Sequence, residues 1–209
     1  GLSAACTALD AGAPVLLLEA TGSLGGAGGR AEVSRAAEHW ENSKDLTAQE
    51  QEAREWISKR LHIDFEDAGS EPPAGVLTLL ALAQAISEWD TKTLSVVTGV
   101  CVKQLLVAPH GECCGCVYEH RDGSKVTAHG TVVLCCGGFA SDSSQIARYR
   151  PDLLHLPVAF GAASGHTTSG LSLAMSAGAA AAGLDRIQVH ATSLGSWRRR
   201  PLASKVLRQ

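Results

Sequence analysis

The chain has few aromatic residues, three Phe, two Tyr and four Trp among 209, and no surplus of charge of either sign. Eighteen basic residues stand against 21 acidic ones, a formal charge of −3 at pH 7 and an isoelectric point near 6.2. That balance gives no electrostatic footprint for nucleic acid. The single basic cluster, Arg198-Arg199-Arg200, is too short to supply one and reads as a solvated tail over 196–209. No stretch of about 20 uninterrupted apolar residues exists, so no membrane-spanning helix is expected. A leader or transit sequence is also lacking, and the start reads as truncated. With 45% hydrophobic residues the chain belongs among globular proteins. Seven cysteines are present, but not in a zinc pattern. Cys113, Cys114 and Cys116 lie on one expected strand and Cys135-Cys136 end another, whereas structural zinc sites use two separated pairs. Neighbouring strand residues face opposite ways. The odd number also opposes a disulfide framework. The expectation is small buried thiols in a reducing intracellular compartment.

Gly1 opens directly onto a helical stripe of Leu2, Ala5 and Leu9. Gly12 ends that helix, and Val15 to Leu18 read as a short buried strand delivering Glu19. This is the second part of a dinucleotide-binding βαβ unit, with Gly1 as the last glycine of a Gly-x-Gly-x-x-Gly turn and Glu19 as the acid that takes ribose hydroxyls. The strand before Gly1 is absent from the sequence. A solvated acid in an ordinary βα unit remains the alternative. From Gly22 to Arg30 five glycines occur in nine residues, either a loop whose amides approach a ligand or a flexible connector.

Further along, a charged helix is expected over about 30–60, with Trp56, Ile57 and Leu61 as its apolar stripe, and a second over 75–89. Residues 94–129 read as a four-strand β-meander, with Asp122-Gly123 as a hairpin turn. Thr131 to Cys136 reads as a central parallel strand ending at Gly137-Gly138. A short helix closes at Ile146 to Tyr149, an alanine-rich helix spans about 171–182 and ends at Gly183, and residues 187–192 form a last strand.

In this order the pieces resemble the FAD-binding flavoprotein family of fumarate reductase and succinate dehydrogenase, especially its soluble single-chain fumarate reductases. The resemblance covers about residues 1–195 and rests on Gly1 to Glu19, Leu24-Gly25-Gly26, Thr98-Gly99-x-x-Val102-x-x-Leu105, Thr131 to Phe139, and Gly165 to Thr192. It implies an α/β fold, a Rossmann-like three-layer FAD/NAD(P)-binding domain with a β-meander, incomplete at both ends. It also implies FAD as cofactor. Glu19 would hold the adenosine ribose, the Val102 backbone would meet adenine, and Gly1, Gly25 and Gly26 would pass beneath the diphosphate. Cys136 and Gly137 match a family Thr-Gly-Gly beside the cofactor, and Thr168 and Gly170 match a Thr-Gly-Asp-Gly segment near the flavin. His190 and Thr192 match the His-Pro-Thr segment that binds a small dicarboxylate. Taken without the family, Val102 is simply core, His190 a structural histidine and His166 a loop residue.

The sequence departs from the family at three contacts. Polar Asn and Ser of the flavin loop are replaced by Ala27 and Gly28, the acid near Gly170 is absent, and proline is Ala191. The family's proton-donor arginine, capping domain and last flavin segment follow the His-Pro-Thr match, so none of Arg198 to Arg200 takes that role. The expected function is a partial copy of a fumarate reductase-type oxidoreductase that by itself holds FAD weakly or not at all and does not reduce fumarate. The alternative is a degenerate, noncatalytic nucleotide-binding or interaction module.

Overall fold

A computed structural model describes residues 1–26, 48–61, 74–139, 142–156, 170–187 and 189. The chain divides into two compact units, Gly1–Leu17 with Ser23–Val97, and Leu18–Gly22 with Thr98–Gln209.

In the first unit α1 (Leu2–Asp10) buries Leu2, Ala5, Cys6 and Leu9, spacings that place all four on one helical face. Gly12, at φ +79°, stops the helix as expected. Its N–H reaches Leu9 O at 2.9 Å and the Ala13 N–H reaches Ala8 O at 2.9 Å, the paired bonds of a glycine-terminated helix end. The buried face meets Leu82, Ile86 and Leu94, with Val15, Leu17, Trp56, Leu79 and Trp89 packed around them. Trp56 belongs to α2 (Ala48–Leu61), while Leu82 and Ile86 belong to α3 (Ala74–Ser87). Arg60 pairs with Asp10 at 3.3 Å and lies over the Trp89 ring at 5.2 Å. Burial pushes the Cys6 thiol up, and the nearby Arg60 partly opposes it.

Strand β1 (Val15–Glu19) pairs with β2 (Leu94–Thr98) in a two-stranded sheet. Val15 N–H bonds Thr93 O at 2.8 Å, and at the other end Gly99 N–H bonds Thr21 O at 2.8 Å. The two contacts advance together, so the strands run parallel. This corrects the expected meander. Its first strand, 94–97, pairs with β1, because the parallel ladder accepts backbone groups that a four-strand antiparallel sheet would have claimed.

The second unit holds the remaining three strands, β3 (Cys101–Val107), β4 (Cys113–Glu119) and β5 (Lys125–His129), in an open antiparallel sheet of that order. The β4–β5 register runs from Gly115 opposite His129 to Glu119 opposite Lys125. At the turn Asp122 accepts from Ser124 N–H at 2.9 Å and from its hydroxyl at 2.6 Å, and Gly123 has φ +86°. A Cβ on Gly115 would fall on the Ala128 carbonyl oxygen and 3.0 Å from His129 Cα, which explains glycine inside a strand. Leu105, Cys116 and Leu173 form the buried centre, with Leu18, Val102, Ala128 and Val132 against them.

Helix α4 (Ser143–Tyr149) is capped by Asp142, whose carboxylate accepts from Ser144 N–H at 3.0 Å and Gln145 N–H at 3.3 Å. Helix α5 (Gly170–Ser176) is shorter than expected. Gly178, at φ +93°, rather than Gly183, ends it, with Gly178 N–H to Met175 O and Ala179 N–H to Ala174 O, both 3.0 Å. The apolar run Thr131 to Cys136 forms no strand and is largely exposed, Val133 by 67% and Leu134 by 39%. An apolar sequence makes a strand only where a neighbouring backbone supplies its hydrogen bonds. Of the expected strand over 187–192, Ile187 and Val189 are described and are not in strand conformation.

All seven cysteines are free, Cys6 and Cys116 buried but Cys135 and Cys136 exposed, so burial of every thiol is not observed. Among the described residues no helix is long and apolar enough to cross a membrane.

Candidate functional site

Glu19 ends β1, half-buried. Its Oε1 accepts from the Thr21 N–H at 2.8 Å and the Thr21 hydroxyl at 2.7 Å, and its carbonyl accepts from Val100 N–H at 3.2 Å. These bonds fix the carboxylate at the strand end. Oε2 has no partner among the described residues and remains an acceptor. Two residues further along β3, Val102 packs into the buried centre. The ladder steps from Val102 opposite Tyr118 to Gln104 opposite Val117, so Lys103 is an extra residue beside it. Such bulges free backbone groups and occur next to ligand sites.

Cys136 joins this neighbourhood from the connection after β5. Its thiol is pushed up first by burial, then by Cys135, with Glu19 and Cys101 adding negative potential. Although the residue is exposed overall, its side chain is turned onto Gly170. A Cβ there would lie 2.9 Å from Cys136 Cβ and 3.2 Å from its Sγ. Glycine at 170 is therefore what lets α5 begin against Cys136. Gly137 follows at φ +75°, with open space where a side chain would stand. The second unit thus gathers Glu19, Cys101, Val102, Cys136, Gly137 and Gly170, drawn from positions far apart in sequence.

In the first unit, Gly1 precedes α1 with no side-chain cap and no acid in the first turn. Gly25 and Gly26 lie in a turn at φ +103° and +55°, where side chains are disfavoured and amides can be presented together. Thr168, His190, Thr192, His166 and the arginines at 198–200 lie outside the described residues.

Sequence reading missed a recess of about 400 Å³ in the second unit, lined by Gly22, Thr98, Gly99, His120, Arg121 and Asp122. The Arg-Asp-Gly-Ser run had the signal only of a turn. No group of three or more His, Cys, Asp or Glu able to hold a metal occurs among the described residues.

An acid with a spare carboxylate oxygen thus stands at the end of a parallel strand, beside a bulged strand and a glycine turn, in a protein of mixed α/β architecture. The chain belongs to the FAD binding domain family, whose pattern matches residues 66–208, and FAD is its cofactor. Fumarate reductase of Schizosaccharomyces pombe (strain 972 / ATCC 24843) is 26% identical over 92% of this chain and 47% of that protein. The fold is shared with the 3-ketosteroid-Δ4-(5α)-dehydrogenase of Rhodococcus jostii RHA1, solved with 4-androstene-3,17-dione. That match has a TM-score of 0.65 and 19% identity, and covers 88% of this chain and 53% of that one. The chain thus spans about half the length of these relatives. The grouping is the FAD-dependent oxidoreductase family of the fumarate reductase and succinate dehydrogenase type.

Proposed function

We propose that this chain is the FAD-binding part of a fumarate-reducing oxidoreductase, with a Rossmann-like three-layer domain over 1–195 and a basic tail over 196–209. The observation that carries it is the Glu19 carboxylate, oriented by Thr21 with Oε2 left to accept, in a chain resembling a fumarate reductase along 92% of its length. Glu19 would accept ribose hydroxyls, Val102 would offer backbone to adenine, and the amides around Gly1, Gly25 and Gly26 would face the diphosphate. Cys136, Gly137, Thr168 and Gly170 would line the flavin side. Once bound, FAD in its reduced form supplies the hydride for an alkene such as fumarate. His190 and Thr192 would hold a substrate carboxylate by hydrogen bonds, keeping the alkene oriented and its developing charge stabilised. No proton donor is assigned within the chain. The Gln188-Val189-His190-x-Thr192 segment favours a dicarboxylate over a steroid.

The test has two parts. A purified chain titrated with FAD is expected to bind it weakly and to leave reduced viologen unoxidised by fumarate. Coexpression with the sequences flanking its reading frame is expected to bring fumarate-dependent viologen oxidation, abolished by His190→Ala. A loaded, flanked protein inactive with fumarate overturns the reading. Binding of FAD without turnover in that protein supports the second reading, a noncatalytic module. That reading is favoured by the loss of polar side chains at Ala27 and Gly28 and by the unpaired Thr131–Cys136 segment.

A further inference from the structure

We infer that Arg121, in the turn between β4 and β5, is a specificity residue for the adenine base of the cofactor, a role resting on Glu19 as the ribose acceptor. A Cβ built on Gly99 would lie 3.3 Å from Arg121 Nε, 3.6 Å from Cζ and 3.7 Å from Nη2. The guanidinium thus lies against the place that a side chain at position 99 would occupy. Gly99 has φ +69°, so a side chain is disfavoured there twice over, by conformation and by the guanidinium.

The cation has no hydrogen bond or ion pair among the described residues. Its neighbour Asp122 accepts from the Ser124 N–H and hydroxyl through Oδ1, and no ion pair joins that carboxylate to Arg121 among the described residues. His120 is held edge-on to Tyr118 at 5.5 Å between ring centres. What remains is a flat, unpaired cation on the wall of the recess formed with Gly22, Thr98 and Gly99.

That recess adjoins Glu19. Gly99 N–H bonds Thr21 O at 2.8 Å, Val100 N–H bonds Glu19 O at 3.2 Å, and Cys101 opens β3 opposite Glu119, two residues before Arg121. An exposed guanidinium on a recess wall can take a planar, electron-rich ring by stacking and cation–π attraction. Adenine has that chemistry, and it is joined to the ribose that Glu19 would accept. Lysine would retain the charge but not the plane.

The wild-type protein coexpressed with its flanking sequences, and its Arg121→Ala and Arg121→Lys variants, are stripped of flavin and titrated with FAD, ADP and FMN, using calorimetry for ADP and flavin fluorescence for the others, with unliganded melting temperatures measured alongside. Arg121→Ala is expected to weaken FAD and ADP by the same factor, roughly two- to thirtyfold. FMN binding and the melting temperature stay unchanged, and Arg121→Lys recovers only part of the loss. Unchanged ADP affinity overturns the inference, as does an equal loss for FMN, which would mark general phosphate attraction. If the wild-type protein binds FAD but not ADP, the adenosine-end placement fails while the cofactor stands. If it binds neither, the Glu19 reading falls together with the inference.

Discussion

Gly170→Ala would put a methyl group 2.9 Å from Cys136 Cβ and 3.2 Å from its sulfur, where carbon contacts settle near about 3.5–4.0 Å. Rotating the Cys136 side chain relieves the sulfur contact but not the Cβ contact, because Cβ is fixed by the backbone. Overpacking of this kind costs about 1–3 kcal/mol. Alanine also gains up to about 1 kcal/mol over glycine in a helix interior, and less at position 170, where α5 starts. The expected net loss is about 1–2 kcal/mol, or a melting temperature lower by roughly 2–8 °C for a chain of this size. In a Cys136→Gly background both clashing atoms are gone. There the same Gly170→Ala change becomes neutral or slightly stabilising. Denaturation followed by far-UV circular dichroism on all four proteins of this cycle gives the coupling directly. Equal costs in the two backgrounds, within about 0.5 kcal/mol, would refute the juxtaposition of Cys136 and Gly170 and with it the proposed grouping of residues beside the flavin.

Glu19→Gln keeps the shape but removes the charge from the proposed ribose acceptor, so FAD affinity should fall by about five- to tenfold with no change in melting temperature, measured by flavin titration. Asp142→Ala removes the cap of α4 and should cost about 0.5–2 kcal/mol at neutral pH. The Ser144 hydroxyl holds the Asp142 carboxyl below the usual carboxylate range. Its stabilisation is therefore complete above the unfolded value near about pH 4 and is lost as pH falls through the lowered folded value. Calorimetric melting between acid and neutral pH should show the wild type converging on the variant as pH drops. Gly115→Ala, which places Cβ on the Ala128 carbonyl, should destabilise by about 2 kcal/mol or more. Gly111→Ala, at φ +92° but with open space around it, should cost only the conformational strain of about 1 kcal/mol; similar urea midpoints for the two would mean that β4 and β5 do not approach so closely.

Local chemistry was legible in the sequence wherever a residue decides its own conformation. Gly12 after an amphipathic stripe announced the end of α1, and Asp122-Gly123 announced the β4–β5 turn. The end of α5 was harder, because Ala179 to Ala182 are good helix formers and only the paired backbone bonds at Gly178 reveal where the helix stops. Strand partners were not legible. The residues of β2 suit a strand in either sheet, and its choice of β1 depends on backbone about 80 residues away. Thr131 to Cys136 show the same limit, since apolar composition specifies willingness to pair but not a partner. For the candidate site, the Gly170 contact with Cys136 joins residues 34 positions apart, and no local pattern signals it. Arg121 was invisible for a related reason: a charged residue in a turn is ordinarily solvated, and its approach to the space beside Gly99 joins residues 22 positions apart.

The Thr131–Cys136 segment has a consequence for the protein as a material. Six consecutive residues without charge or proline, rich in β-branched and other apolar side chains and lacking ladder partners, form a template on which another chain can add its own backbone. With Val133 and Leu134 facing solvent, self-association through this stretch would grow with concentration and yield extended, cross-strand assemblies rather than closed oligomers. A lysine at position 133 would interrupt that addition without touching the core centred on Leu105 and Leu173.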